Sequence, residues 1–110
     1  MLCWTLDYRY RHWLGRLRAT CSESGIVLIF DEVYTGFRLH RRGAQGYFGV
    51  ESDIVCYGKT LGGGLPIGVV CGPKHLMQRA DPTRPLRVAY VIGTFAGLPL
   101  VMGSMNAFLN

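Results

Sequence analysis

The chain is predicted to be an α/β protein, with a mostly parallel sheet and flanking helices. Three observations carry that expectation. Ile26-Val27-Leu28-Ile29-Phe30 is an apolar run without alternation, the pattern of a strand covered on both faces. A run of helical spacing precedes it, and two further short strand-like runs follow. At 110 residues, with 49% of them apolar, the chain fits one small globular domain.

Trp13, Leu14, Leu17 and Cys21 recur at helical spacing and Gly25 supplies a stop, which predicts a helix over about residues 11–24. Residues 1–10 are aromatic, show no period and are left unassigned; residues 11–110 form the single domain. The strand at residues 26–30 ends in an acid pair, Asp31-Glu32. Residues 35–50, with four glycines, three arginines and a histidine, read as a long loop, and loops of that length in compact domains usually serve function. Residues 53–57 form a second strand that runs into Gly58-Lys59-Thr60. Past Gly62-Gly63-Gly64, residues 66–71 form a third, closed by Gly72-Pro73. Residues 74–79 suit one or two helical turns, and residues 80–87, with Pro82 and Pro85, a connector. From Pro99, the residues Leu100, Val101, Met102, Met105 and Phe108 predict a last helix.

The net charge of +5 reflects arginine clusters at Arg9, Arg11, Arg16 and Arg18 and at Arg38, Arg41 and Arg42. Such a balance attracts anions, but a solvated helix face and loop account for it without a nucleic-acid partner. Cys3, Cys21, Cys56 and Cys71 have no short metal-type spacing and read as reduced thiols. No apolar run reaches the length of a membrane span. The expectation is a cytoplasmic protein with no membrane, metal or nucleic-acid partner.

Asp31 closes one buried strand and Lys59 sits in the glycine-bordered turn after the next, where ligands of α/β sheets collect. An amine that can form a Schiff base and an acid that can face a pyridine nitrogen are what a pyridoxal 5'-phosphate site requires. A carboxylate there favours the charged pyridinium, and the displaced lysine can then shuttle a proton. Lys74, the second lysine, opens a polar helix and reads as solvated. Singly, a turn-capping acid, a loop lysine and a flexible glycine turn are the commoner explanations; their joint occurrence at strand ends favours a site. The rival is a nucleotide hydrolase, with Asp31-Glu32 holding metal and Gly58-Lys59-Thr60 ending a phosphate loop. That loop needs glycine where Asp53 stands, and here the glycines follow the lysine.

The blocks Leu28-Ile29-Phe30-Asp31-Glu32-Val33, Thr35-Gly36-Phe37-Arg38, Gly43-Ala44-Gln45, Tyr47-Phe48-Gly49-Val50, Asp53-Ile54, residues 58–68 and Gly93-Thr94-Phe95 with Pro99-Leu100 stand in one order. In that order they resemble the class III, or omega-type, pyridoxal-phosphate-dependent aminotransferases of fold type I. The nearest resemblance is to the glutamate-1-semialdehyde 2,1-aminomutase-like branch. The resemblance implies part of the large, cofactor-binding domain of such an enzyme. Lys59 would carry the cofactor as catalytic residue, Asp31 would pair with the pyridine nitrogen, Val33 would pack on a ring face, and Thr94 would reach the phosphate of the cofactor bound by the partner subunit. It also implies a homodimer of the longer protein, a small-molecule amino donor and a carbonyl acceptor. Glu32 is then a structural acid. Tyr34 and Leu98 depart from the residues common in the family, and the chain looks like a fragment, either of an aminotransferase or aminomutase or a non-catalytic remnant of one.

Overall fold

The computed structural model describes residues 4–77, 83, 93, 94 and 96–110. The expected connector at residues 80–87, apart from Thr83, and Phe95 of the Gly93-Thr94-Phe95 block lie outside the described residues.

The first helix, α1, runs Trp4–Glu23, so the segment left unassigned is helical from Trp4 onward. It stops where expected: Gly25 adopts φ +65, and the amide of Ile26 donates to the Cys21 carbonyl at 2.8 Å. A left-handed residue after the last turn satisfies carbonyls that the helix leaves open. The inner face of α1 brings Leu14, Leu17 and buried Cys21 against Leu28, Phe30 and Val55, the hydrophobic core beneath the sheet. A polar clamp fixes its orientation. Asp53 Oδ2 accepts from both the Leu28 amide and Arg18 Nη1, each at 2.7 Å, tying helix, first strand and second strand together.

Strand β1 is Ile29–Glu32 and strand β2 is Ile54–Gly58, paired in parallel with Asp31 opposite Cys56 and Glu32 opposite Tyr57. Strand β3, Gly68–Cys71, pairs with β2 in the antiparallel sense. The sheet is therefore mixed, in the order β1-β2-β3. The reason is the connection. A parallel return needs a crossover of a dozen or more residues, whereas β2 reaches β3 through a single 3-10 turn at Lys59–Gly62 and a short loop.

The expectation that residues 26–30 are covered on both faces is corrected. The strand starts at Ile29 and alternates, with Phe30 and Glu32 buried while Ile29 is 54% exposed. Ile26 and Val27 are exposed as well. Only one face of β1 has a covering layer among the described residues, and β1 is an edge of this sheet.

Residues 35–50 are not a continuous loop either. Helix α2 occupies Gly43–Phe48 and is followed by Gly49 in the left-handed region. Its cap comes from twelve residues upstream. Glu32, 1% exposed, accepts from the amides of Ala44 and Gln45 at the start of α2. Helix α3, Lys74–Met77, is one turn, and α4, Pro99–Leu109, is the predicted last helix. α4 lies on the 3-10 turn, with Val101 buried and Ser104 Oγ donating to the Gly62 carbonyl at 2.7 Å. Phe37 bridges sheet to helix, its ring 5.1 Å from that of Tyr57 and 5.4 Å from that of Phe108. Among the described residues no helix is long and apolar enough to cross a membrane, and no group of acids, histidines and cysteines is arranged to hold a metal.

Candidate active site

The parallel strands β1 and β2 end side by side, and the two predicted chemical residues lie at those ends. Asp31 is the third residue of β1; Lys59 follows β2 directly. Asp31 lies on the exposed side of β1, and its Oδ1 accepts from the Val33 amide at 3.1 Å, which shapes the turn that leaves the strand.

Val33 then crosses to the neighbouring strand end. The absence of a side chain at Gly58 permits this: a Cβ there would stand 3.2 Å from Val33 Cγ1 and 3.0 Å from the Ile67 carbonyl oxygen. Lys59, the next residue, is exposed and has φ +43, in the left-handed region. A long side chain seldom takes that conformation, at a cost of about 1–2 kcal/mol, and such strain gathers where geometry serves function. The turn is held by Leu61 and Gly62, both buried, and by α4 packed on them.

An open cavity of about 1050 Å³ lies over this turn, and Val33, Lys59 and Thr94 all line it. Three of the four predicted site residues thus meet on one surface. Asp31 does not line this cavity; with Trp13 and Phe48 it lines a smaller cleft of about 480 Å³ walled by β1, α1 and α2. It does share a sheet face with its register partner Cys56, which lines the larger cavity.

Other cavity groups escaped sequence reasoning. Arg38 donates from Nε to Thr60 Oγ1 at 3.1 Å, and its guanidinium stands 4.7 Å from the centroid of the Tyr34 ring. The Lys59 amine lies 5.5 Å from that same centroid. In sequence, Arg38 fell both in a cluster with Arg41 and Arg42, read as a solvated face, and in the block Thr35-Gly36-Phe37-Arg38 that carries the family resemblance, and neither reading gave it a role. Arg42 does behave that way, in an exposed pair with Glu51. Tyr57 also lines the cavity; burial first, and then the Glu32 carboxylate, push its phenol up, which keeps it a hydrogen-bond donor.

The cavity offers one primary amine, one guanidinium, and the hydroxyls of Thr60, Thr94 and Tyr57, with apolar walls that include Val33 and Ile67. That set suits a planar anionic aldehyde. It does not suit a nucleotide triphosphate, since residues 54–58 form strand β2 and offer no glycine nest ahead of the lysine.

Residues 8–110 match the family model described as Aminotransferase class-III. A glutamate-1-semialdehyde 2,1-aminomutase from Hydrogenobaculum sp. (strain Y04AAS1) is 50% identical over 98 residues, covering 89% of this chain and 22% of that protein. Among solved structures, an omega-transaminase from Sphaerobacter thermophilus superimposes with a TM-score of 0.74 at 39% identity, over 89% of this chain and 22% of its own. A transaminase with PLP bound gives a TM-score of 0.76 at 38% identity, over 89% and 23%. The chain thus spans less than a quarter of the length of these proteins, and its fold is a piece of the fold type I transaminase architecture.

Proposed function

Because this chain belongs to the class-III aminotransferase family, we propose that it is the part of a pyridoxal-phosphate-dependent aminotransferase or 2,1-aminomutase that anchors the cofactor through Lys59. The observation that carries the reading is Lys59 itself: a strained, exposed amine on a cavity it shares with Val33 and Thr94.

Pyridoxal phosphate, when bound, supplies an aldehyde and an electron-withdrawing ring through which an amino group is exchanged. The chain's own residues divide the remaining work. Lys59 Nζ would hold the cofactor and would serve as general base and acid toward the substrate carbon. Asp31, which shares a sheet face with the cavity-lining Cys56, would favour the protonated ring nitrogen by its charge. Val33 packs against a ring face, a role supported by its half-buried place beside Gly58. Thr94, which is exposed, would reach the phosphate of the cofactor bound by the partner subunit in a homodimer. The substrates are a small-molecule amino donor and a carbonyl acceptor. The free thiols Cys21, Cys56 and Cys71 accord with a reducing, cytoplasmic setting.

The 110-residue chain on its own binds the cofactor weakly and does not turn over substrate in this reading. Support comes from the uncovered outer face of β1 and from the position of Asp31 outside the main cavity. Equilibrium titration with pyridoxal phosphate, followed by visible absorbance, tests the reading. Saturable binding by the chain and its loss in Lys59→Ala are expected; identical curves for the two proteins would overturn it.

A further inference from the structure

The turn that carries Lys59 is held from two sides. On the cavity side, Thr60 Oγ1 accepts from Arg38 Nε at 3.1 Å. From behind, α4 lies against the turn, and Ser104 Oγ donates to the Gly62 carbonyl at 2.7 Å. Neither Ser104 nor Gly62 belongs to the described lining of the cavity. A serine inside a helix can turn its hydroxyl back on the carbonyl four residues earlier; this one instead reaches an element 42 positions away in sequence. The Gly62 carbonyl already accepts from the Leu65 amide at 3.0 Å, so Ser104 takes its second lone pair. Gly63, next in the chain, has φ +57, and a Cβ built there would stand 3.0 Å from Ser104 Oγ. Two glycines thus let the hydroxyl rest directly on the backbone of the turn.

We propose that Ser104 is a positioning residue for Lys59: by pinning the Gly62 carbonyl it keeps the 3-10 turn Lys59–Gly62 from relaxing, and so keeps Lys59 at φ +43 with its amine on the cavity. This rests on the reading of Lys59 as the reactive amine and adds the contact that holds that amine in place. A left-handed conformation is unfavourable for lysine, so contacts outside residue 59 must impose it. A relaxed turn would spread the amine over many directions, whereas a reacting group held at one angle meets its partner far more often. Leu61 of the turn and Val101 of α4 are each 3% exposed, but apolar burial is non-directional. The hydrogen bond is what fixes the angle. Ser104→Ala isolates that bond. Alanine is the stronger helix former, and the Gly62 carbonyl keeps the Leu65 amide, so no acceptor is left bare.

The parent chain, Ser104→Ala and Asp53→Asn are each incubated with pyridoxal phosphate and reduced with borohydride at intervals, and the label on Lys59 and on Lys74 is followed by mass spectrometry. Ser104→Ala should label Lys59 more slowly by about fivefold or more, with Lys74 unchanged. Asp53→Asn, which loosens the opposite end of β2, should lower the urea midpoint yet label Lys59 at the parent rate. A second readout needs no cofactor. In the parent background Lys59→Gly should unfold at higher urea than Lys59→Ala, and that gap should shrink once Ser104→Ala is added, because the freed turn no longer imposes the left-handed angle. An unchanged gap, equal Lys59 rates in the parent chain and Ser104→Ala, or an equal slowing in Asp53→Asn would overturn the proposal and leave Lys59 as the anchor. A parent chain in which Lys59 labels no faster than Lys74 would remove the reading of Lys59, and this proposal with it.

Discussion

The carboxylate of Glu32 fills the space that a side chain at Gly43 would need: a Cβ built on Gly43 falls within van der Waals contact of all three carboxyl atoms, and Gly43 itself has φ +64. This pair joins the end of β1 to the start of α2, and so sets the loop that carries Tyr34 and Arg38 to the cavity. Gly43→Ala combines a clash with left-handed strain and is expected to cost about 2–4 kcal/mol. Glu32→Ala, which strips the acceptors from the Ala44 and Gln45 amides, is expected to cost about 2 kcal/mol. Urea unfolding of the two variants checks both; a change below about 0.5 kcal/mol in either would contradict the packing described.

Why α2 escaped sequence reasoning follows from the same pair. Gly43-Ala44-Gln45-Gly46-Tyr47-Phe48 has two glycines and no local capping side chain. Its cap arrives from Glu32 across the fold, and no window on the sequence contains both. Features set by neighbours in sequence were more legible. The stop at Gly25, strand β2 running into Lys59, and the helix after Pro99 depend on neighbours in sequence, and all three are present. The parallel pairing of β1 with β2 was legible in the apolar run, but the antiparallel return of β3 depended on the tightness of the turn at Lys59–Gly62. At the site, strand ends pointed to Asp31 and Lys59, and the family resemblance alone pointed to Val33 and Thr94; Lys59, Val33 and Thr94 line one cavity and Asp31 lies outside it. The bond from Arg38 to Thr60 crosses a helix and a strand, so the arginine cluster gave no sign of it, although Tyr34 stands only four residues away.

Strain at Lys59 gives a prediction of opposite sign. Glycine takes φ +43 without penalty, whereas alanine does not. Lys59→Gly is therefore expected to be about 1 kcal/mol more stable than Lys59→Ala. Both variants lose attachment of pyridoxal phosphate. Equal unfolding midpoints for the two would remove the claim that the turn holds the lysine under strain.

The Asp53 clamp makes stability depend on acid. The Leu28 amide first, and Arg18 second, hold the Asp53 carboxyl below its ordinary range, so the folded chain takes up that proton less readily than the unfolded one. The stabilisation is complete above the unfolded value, about pH 4, and is lost as pH falls through the lower folded value. Asp53→Asn should be less stable than the parent chain at neutral pH, and the two should converge in acid. Urea midpoints collected from neutral pH downward check this; a gap that stays constant into acid would contradict it.

Cys71 is exposed and stands opposite Val55 in the β2–β3 pair, one register position from Cys56. Partial burial first, and the neighbouring Cys56 second, push its thiol up. Alkylation of Cys71 by iodoacetamide should therefore reach half its maximal rate at a higher pH than an ordinary thiol, because the thiolate is the reacting form. Cys56→Ala should bring that midpoint part of the way down. A midpoint at or below that of free cysteine would contradict the described surroundings.

The central claim is that Lys59, and not the other lysine, is the cofactor anchor. Its most direct test is to mix the chain with pyridoxal phosphate at stoichiometric concentration, reduce with borohydride, digest, and locate the modified lysine by mass spectrometry. Modification concentrated on Lys59, weakened in Asp31→Ala and absent in Lys59→Ala, is the predicted result. Equal modification of Lys59 and Lys74, indifferent to Asp31, would contradict it.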